Sequence, residues 1–238
     1  MTDNRIIVAL DLPCEPALAL AASLRGRVRW LKVGMTLFYA EGPTIVSRLR
    51  EMGFDVFVDL KLHDIPHQVS GAAAQIALLG AGMLTVHASG GAAMMIAAAE
   101  AARTAAADAG LEAPAILAVT VLTSTDDAGL RAIGIDRSAG EQVVLLAEIA
   151  RAAGVDGVVC SPHEAARMRE LLGPDALIVT PGVRPASGVI GDQARVADPA
   201  SAVAAGASHL VIGRPITAAP RPLEALDLIL AELGGTPS

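Results

Sequence analysis

The run Phe57-Val58-Asp59-Leu60-Lys61-Leu62-His63-Asp64-Ile65-Pro66 carries the densest set of chemically useful side chains in the chain. Strand side chains alternate with period two, so Asp59 and Lys61 are expected on one side and Leu60 on the other. The spacing Asp-x-Lys-x-x-Asp holds the Lys61 ammonium between Asp59 and Asp64. A lysine fixed in this way is placed to give a proton to a developing carbanion, not to form a Schiff base. The carboxylates beside it would repel an anionic substrate group and favour its departure. Asp11 and Lys32, each at the end of an earlier apolar run, are expected at the same rim. The plainer reading of these charges is a structural ion-pair network, since buried charges need partners.

A second group of residues suits a phosphate. Thr180-Pro181-Gly182-Val183-Arg184 supplies a glycine turn and an arginine, the segment 188–195 adds Gln193, and Ile212-Gly213-Arg214-Pro215 follows the last apolar run. Gly213 lets the backbone approach an oxyanion, and Arg214 offers a bidentate fork. The segment 182–195, with Gly188 and Gly191, is a candidate lid. The histidines say less. His63 and His67 have the i, i+4 spacing of a metal pair, with Asp59, Asp64 and His87 as further donors, but Pro66 disturbs the register between them. His163 and His209 read as packing or surface residues, and Cys160 as a small packed one.

These residues must be positioned by something, and the chain supplies a regular frame. Strand-like runs are expected at 6–10, 30–33, 55–60, 83–87, 116–121, 157–160, 176–180 and 209–212. Helical patterns lie between and after them, at 16–24, 43–52, 69–79, 92–109, 139–153, 162–172, 199–205 and 222–233. Strands alternating with helices imply right-handed βαβ units and a parallel sheet. Repeated about eight times, they imply a closed (β/α)8 barrel of the TIM type. A doubly wound open sheet would carry a glycine-rich turn after its first strand, whereas this turn is Asp11-Leu12-Pro13-Cys14. Ala81-Gly82, Ala153-Gly154 and Ala205-Gly206 each close a helical stretch, as left-handed glycine stops do. Ser161-Pro162-His163-Glu164 has the residue types of a helix start. In such a barrel, chemistry belongs at the C-terminal ends of the strands. There stand Asp11, Lys32, Asp59, Lys61, His87, Thr123, Ser124, Ser161, Arg184 and Arg214.

Composition narrows the function further. At 238 residues the length suits one barrel, which typically needs ~250. No linker, charge block or low-complexity tract divides it, so residues 1–238 are expected to form one domain. Hydrophobic residues at 53% and charged residues at 18% exclude a disordered chain. Aromatics at 2% leave no stacking platform for single-stranded nucleic acid, and a net charge of −7 argues against a general polyanion binder. Two cysteines cannot build a disulfide framework. The acidic N-terminus and the interrupted alanine-rich stretch exclude a signal peptide and a membrane span. A soluble protein of a reducing compartment, the cytoplasm, is expected.

Taken together, these motifs resemble those of the orotidine 5′-phosphate decarboxylases. Asp59 to Pro66 resembles the family signature. The likeness continues through Ala9-Leu10-Asp11, Lys32-Val33-Gly34, Leu122-Thr123-Ser124, Thr180 to Arg184 and Gly213-Arg214-Pro215-Ile216, in the family's order and with the spacing of its short bacterial form. The resemblance implies a homodimeric lyase of pyrimidine biosynthesis with shared active sites and no metal or organic cofactor. Its substrate would be a small nucleotide. It implies Lys61 as proton donor to C6, Asp59 facing the departing carboxylate, and Asp64 entering the neighbouring subunit's site. Asp11 and Lys32 would hold ribose hydroxyls, and Thr123 and Ser124 would meet the pyrimidine. Arg184, Gln193, the Gly213 backbone and Arg214 would grip the phosphate. One departure stands out: the family commonly has Asn-Thr, whose Thr assists ribose binding across the dimer, where this chain has His67-Gln68. Gln68 can still donate and accept, so altered detail of that contact rather than lost activity is expected.

Two rivals remain on the sequence. A sister decarboxylase or aldolase acting on sugar phosphates through magnesium tends to carry a glutamate at the end of the second strand. Lys32 stands here instead, and a cation there repels Mg²⁺. A non-catalytic phosphate-binding barrel would use Arg214 equally well but leaves the Asp59-Lys61-Asp64 array without a purpose.

Overall fold

A computed structural model describes residues 3–184 and 197–234. The chain runs β1 (Asp3–Ala9), α1 (Cys14–Leu24), β2 (Val28–Gly34), α2 (Met35–Glu41), α3 (Thr44–Glu51), β3 (Asp55–Leu62), α4 (Pro66–Leu78) and β4 (Met83–His87). It continues through α5 (Ala92–Asp108), β5 (Ala115–Val119), α6 (Asp127–Ala132), α7 (Ala139–Ala152), β6 (Gly157–Val159) and α8 (Ala165–Leu172). It ends with β7 (Leu177–Pro181), α9 (Pro199–Ala204), β8 (His209–Ile212), α10 (Arg214–Thr217) and α11 (Pro222–Glu232). All neighbouring strands pair in parallel, and β1 pairs with β8, which closes the barrel in chain order. This is the (β/α)8 barrel that the alternation of patterns predicts.

The closed sheet separates two cores. Inside it lie Ile7, Ala9, Phe57, Met83, Leu117, Val119, Val159, Val179 and Val211. Between sheet and helices lies a larger core that includes Val8, Leu10, Val33, Val58, Leu84 and Ile212, with Leu24, Ile45 and Met95 from the helices. Both faces of each strand are therefore apolar, which explains why the strands read as short apolar runs without alternation.

Alternation instead appears at the strand ends, where it aims the polar residues. Continuing the inward positions by two leads from Ile7 and Ala9 to Asp11, from Phe57 to Asp59, and from Met83 to Thr85. Register levels these ends. Ala9 pairs with Lys32, Lys32 with Phe57, and Gly34 with Asp59.

Several details differ from the sequence reading. The left-handed stop after α4 is Gly80, with φ 73°, not Gly82. Gly82 is needed for a different reason: a Cβ there would lie 2.7 Å from the Trp30 ring. Gly154 and Gly206 are left-handed as expected. Ser161 and Glu164 do form a capping box, but it opens a single 3-10 turn at Pro162–Glu164, and α8 starts after it. The short helices α2, α6 and α10 have too few residues to show a period and are additions to the expected set. No helix among the described residues is long and apolar enough to cross a membrane.

Candidate active site

At the C-terminal mouth of the barrel is a cavity of about 550 Å³. Its walls hold Asp11, Lys32, Asp59, Lys61, Thr123, Arg184, Gly213 and Arg214, and apolar strand residues such as Phe57 and Val119 close its floor. Four of these charges form a continuous chain of alternating sign. Lys32 Nζ lies 3.0 Å from Asp11 Oδ1 and 3.4 Å from Asp59 Oδ2. Lys61 Nζ donates to Asp59 Oδ1 at 2.8 Å. Asp59 and Lys32 are buried, whereas Asp11 is exposed at the rim.

Burial pushes the Asp59 carboxyl upward, but Lys32, Lys61 and the hydrogen bonds from Lys61 and Thr85 outweigh it and hold the group below the usual carboxylate range. Gly34 makes room for the array, since a Cβ there would stand 2.8 Å from Asp11 Oδ1 and 3.0 Å from Lys32 Nζ.

Lys61 reaches Asp59 by a route that alternation does not describe. Its φ is 51°, the only left-handed non-glycine among the described residues. The ladder between β3 and β4 shifts here, from Val58 opposite Leu84 to Leu62 opposite Val86. Leu60 faces the outer core as expected, and the irregularity turns Lys61 back over the mouth. Left-handed backbone costs a lysine on the order of 1 kcal/mol, and such strain concentrates at functional sites.

The strand ends β7 and β8, which complete the same mouth, carry the cations suited to an anion. Arg184 follows the left-handed Gly182, and its backbone N–H donates to Ala197 at 3.1 Å. Gly213 precedes α10, whose first residue is Arg214. One cavity is thus lined both by a lysine–aspartate chain, buried at Lys32 and Asp59, and by two arginines.

A family model described as orotidine 5′-phosphate decarboxylase / HUMPS family matches residues 4–229. The chain belongs to this family. An orotidine 5′-phosphate decarboxylase of Alkalilimnicola ehrlichii is 55% identical over 234 residues, covering 98% of this chain and 97% of the relative. One of Moorella thermoacetica is 52% identical over 97% of this chain and 92% of its own length. Among solved structures, orotidine 5′-phosphate decarboxylase from Lactobacillus acidophilus superposes with a TM-score of 0.85 at 40% identity, covering 98% of this chain and all of that one. The enzyme from Pyrococcus horikoshii does so at 0.77 and 26% identity, over 97% of this chain and 100% of its own.

Within this decarboxylase family framework, the remaining expected site residues divide. Asp64, Gln68 and Ser124 are exposed and lie outside the cavity lining. Asp64 turns back on its own backbone, accepting the Ile65 N–H at 2.6 Å, so the charges gathered in this chain are those of Asp11, Lys32, Asp59 and Lys61. Gln193 and most of the candidate lid fall outside the described residues. His63 and His87 pack ring to ring at 5.2 Å, while His67 is exposed on α4. No cluster of three or more metal-ligating side chains occurs among the described residues. Burial, His63 and Lys61 hold the His87 imidazole below its usual range. Cys160 is buried in the cavity wall. The sequence reading missed Thr85, which is fully buried and bonded to both Asp59 and Lys61. A threonine inside a strand reads as ordinary β propensity, so nothing local marks it.

Proposed function

We propose that this chain converts orotidine 5′-phosphate to UMP and carbon dioxide, the closing step of UMP biosynthesis, as a cytoplasmic homodimer. The reading rests on family membership and on one observation above all. The alternating chain Asp11–Lys32–Asp59–Lys61 shares a cavity with Arg184 and Arg214.

In this reading the arginines and the Gly213 backbone take the phosphate, with Gln193 assisting. Asp11 and Lys32 hold the ribose hydroxyls, and Thr123, which lines the cavity, meets the pyrimidine. The substrate carboxylate then faces Asp59, whose negative charge opposes it and is itself fixed by two ammonium groups. The bond between C6 and the carboxyl carbon breaks, carbon dioxide leaves, and the electron pair stays on C6. Lys61 Nζ stabilises that carbanion by charge and gives it a proton, to be restored afterwards from water. No adjacent electron sink exists in the ring, so preorganised charge has to supply the upper part of the ~8–23 kcal/mol range typical of enzymes. Asp59 is flanked by two ammonium groups, which disfavours a divalent cation at that carboxylate.

The homodimer is supported by Asp64 and Ile65. Both lie outside their own cavity, and Ile65 is 62% exposed although strongly apolar. A neighbouring subunit would cover Ile65 and receive Asp64 and Gln68 at its site.

The test is Lys61→Ala. Turnover of orotidine 5′-phosphate is expected to fall by at least about 10³-fold, because both charge stabilisation and the proton are lost. UMP affinity, measured by calorimetry, is expected to stay within about threefold, because Arg184 and Arg214 remain. Loss of both together would make Lys61 a structural residue and refute the assignment.

A further inference from the structure

We infer that Thr85 is a positioning residue for the decarboxylation, its hydroxyl setting both the backbone and the ammonium of Lys61 against Asp59. The inference rests on the function proposed above and adds to it a residue that does not border the cavity. Thr85 is 0% exposed. Its Oγ1 accepts the Lys61 backbone N–H at 2.9 Å and donates to Asp59 Oδ1 at 2.9 Å. That same carboxylate oxygen accepts Lys61 Nζ at 2.8 Å. One hydroxyl therefore links both ends of Lys61, directly at its amide and through Asp59 at its ammonium.

The sheet explains why a side chain is needed. Between the pairs Val58–Leu84 and Leu62–Val86, residues Asp59, Leu60 and Lys61 of β3 stand opposite Thr85 alone on β4. The extra residues take the Lys61 N–H out of the regular ladder, and a buried N–H must find another acceptor. The Thr85 hydroxyl is that acceptor, and it stabilises the left-handed conformation that turns the lysine over the mouth. With its lone pair engaged by Lys61, the hydroxyl points its proton at Asp59 and fixes which carboxylate oxygen receives the ammonium. Valine has nearly the same shape but offers neither function. Serine offers both.

The experiment compares Thr85→Val with Thr85→Ser, after confirming by circular dichroism that each is folded. In Thr85→Val, kcat is expected to fall about 10- to 100-fold, because the ammonium loses its fixed aim at the reacting carbon. KM and UMP affinity should stay within about threefold, since the phosphate contacts are untouched. Thr85→Ser should restore kcat to within about threefold of the parent. If the valine variant does not fold, Thr85→Cys replaces it. Its thiol is a weak donor and acceptor, so kcat should lie well below that of the serine variant. An active parent with equal kcat in all folded variants would overturn the inference. A parallel loss of kcat and UMP affinity would also overturn it, because the hydroxyl would then support the barrel and not the lysine. An inactive parent would instead defeat the functional reading itself.

Discussion

Asp59 is the residue on which the charge array turns. It is buried, yet Lys32 and Lys61 both approach it and Thr85 donates to it. Its carboxyl is consequently held below the ordinary value of 3.8, with burial opposing and the two ammonium groups prevailing. A carboxylate with a depressed folded pKa contributes stability that is complete above its unfolded value. That contribution disappears as the pH falls through the lower, folded value. The chain should therefore lose stability steeply below about pH 4, and Asp59→Asn should flatten that part of the profile. Urea midpoints collected between about pH 6 and pH 3 read the effect directly. At neutral pH the same variant should be less stable than the parent by about 3 kcal/mol, since two buried or half-buried ammonium groups lose their shared partner. Equal acid sensitivity in both proteins would mean that other carboxylates dominate acid unfolding.

At the scale of elements, the sequence made the frame legible for a simple reason. Every strand is buried on both faces, so each reads as a short β-branched run between longer helical patterns. Inward and outward positions could not be told apart until the polar strand ends were reached, and there Asp11 and Asp59 betrayed the inner side. What stayed hidden was geometry created by pairing. The left-handed turn at Lys61 arises from the β3–β4 mismatch, and period two predicts its side correctly while missing its backbone. The roles of Gly82 and Gly157 depend on distant neighbours as well. Gly157 on β6 lies so close to β7 that a Cβ would clash with the Leu177 carbonyl oxygen. Backbone cannot yield as a side-chain tip can, so Gly157→Ala should lower stability by about 1–3 kcal/mol. A thermal melt checks this, and an unchanged midpoint would show that the β6–β7 seam has slack.

For the whole molecule, charge and shape divide the work. The chain carries −7 overall, yet its cavity is lined by Lys32, Lys61, Arg184 and Arg214 against Asp11 and Asp59. A small anion is attracted at that mouth while extended polyanions meet an acidic surface elsewhere. The closed barrel fixes the lysine–aspartate chain on rigid strand ends and leaves the arginines on the segments after β7 and β8, where barrels commonly hold phosphate. In the proposed reading, binding energy gathered at the phosphate is used at the ring. The most direct test is the ultraviolet decay of orotidine 5′-phosphate with the purified wild-type chain, run with and without EDTA. Conversion to UMP at the same rate in both is the predicted result. A folded protein that leaves the substrate unchanged, or that loses its activity to the chelator, would contradict the account.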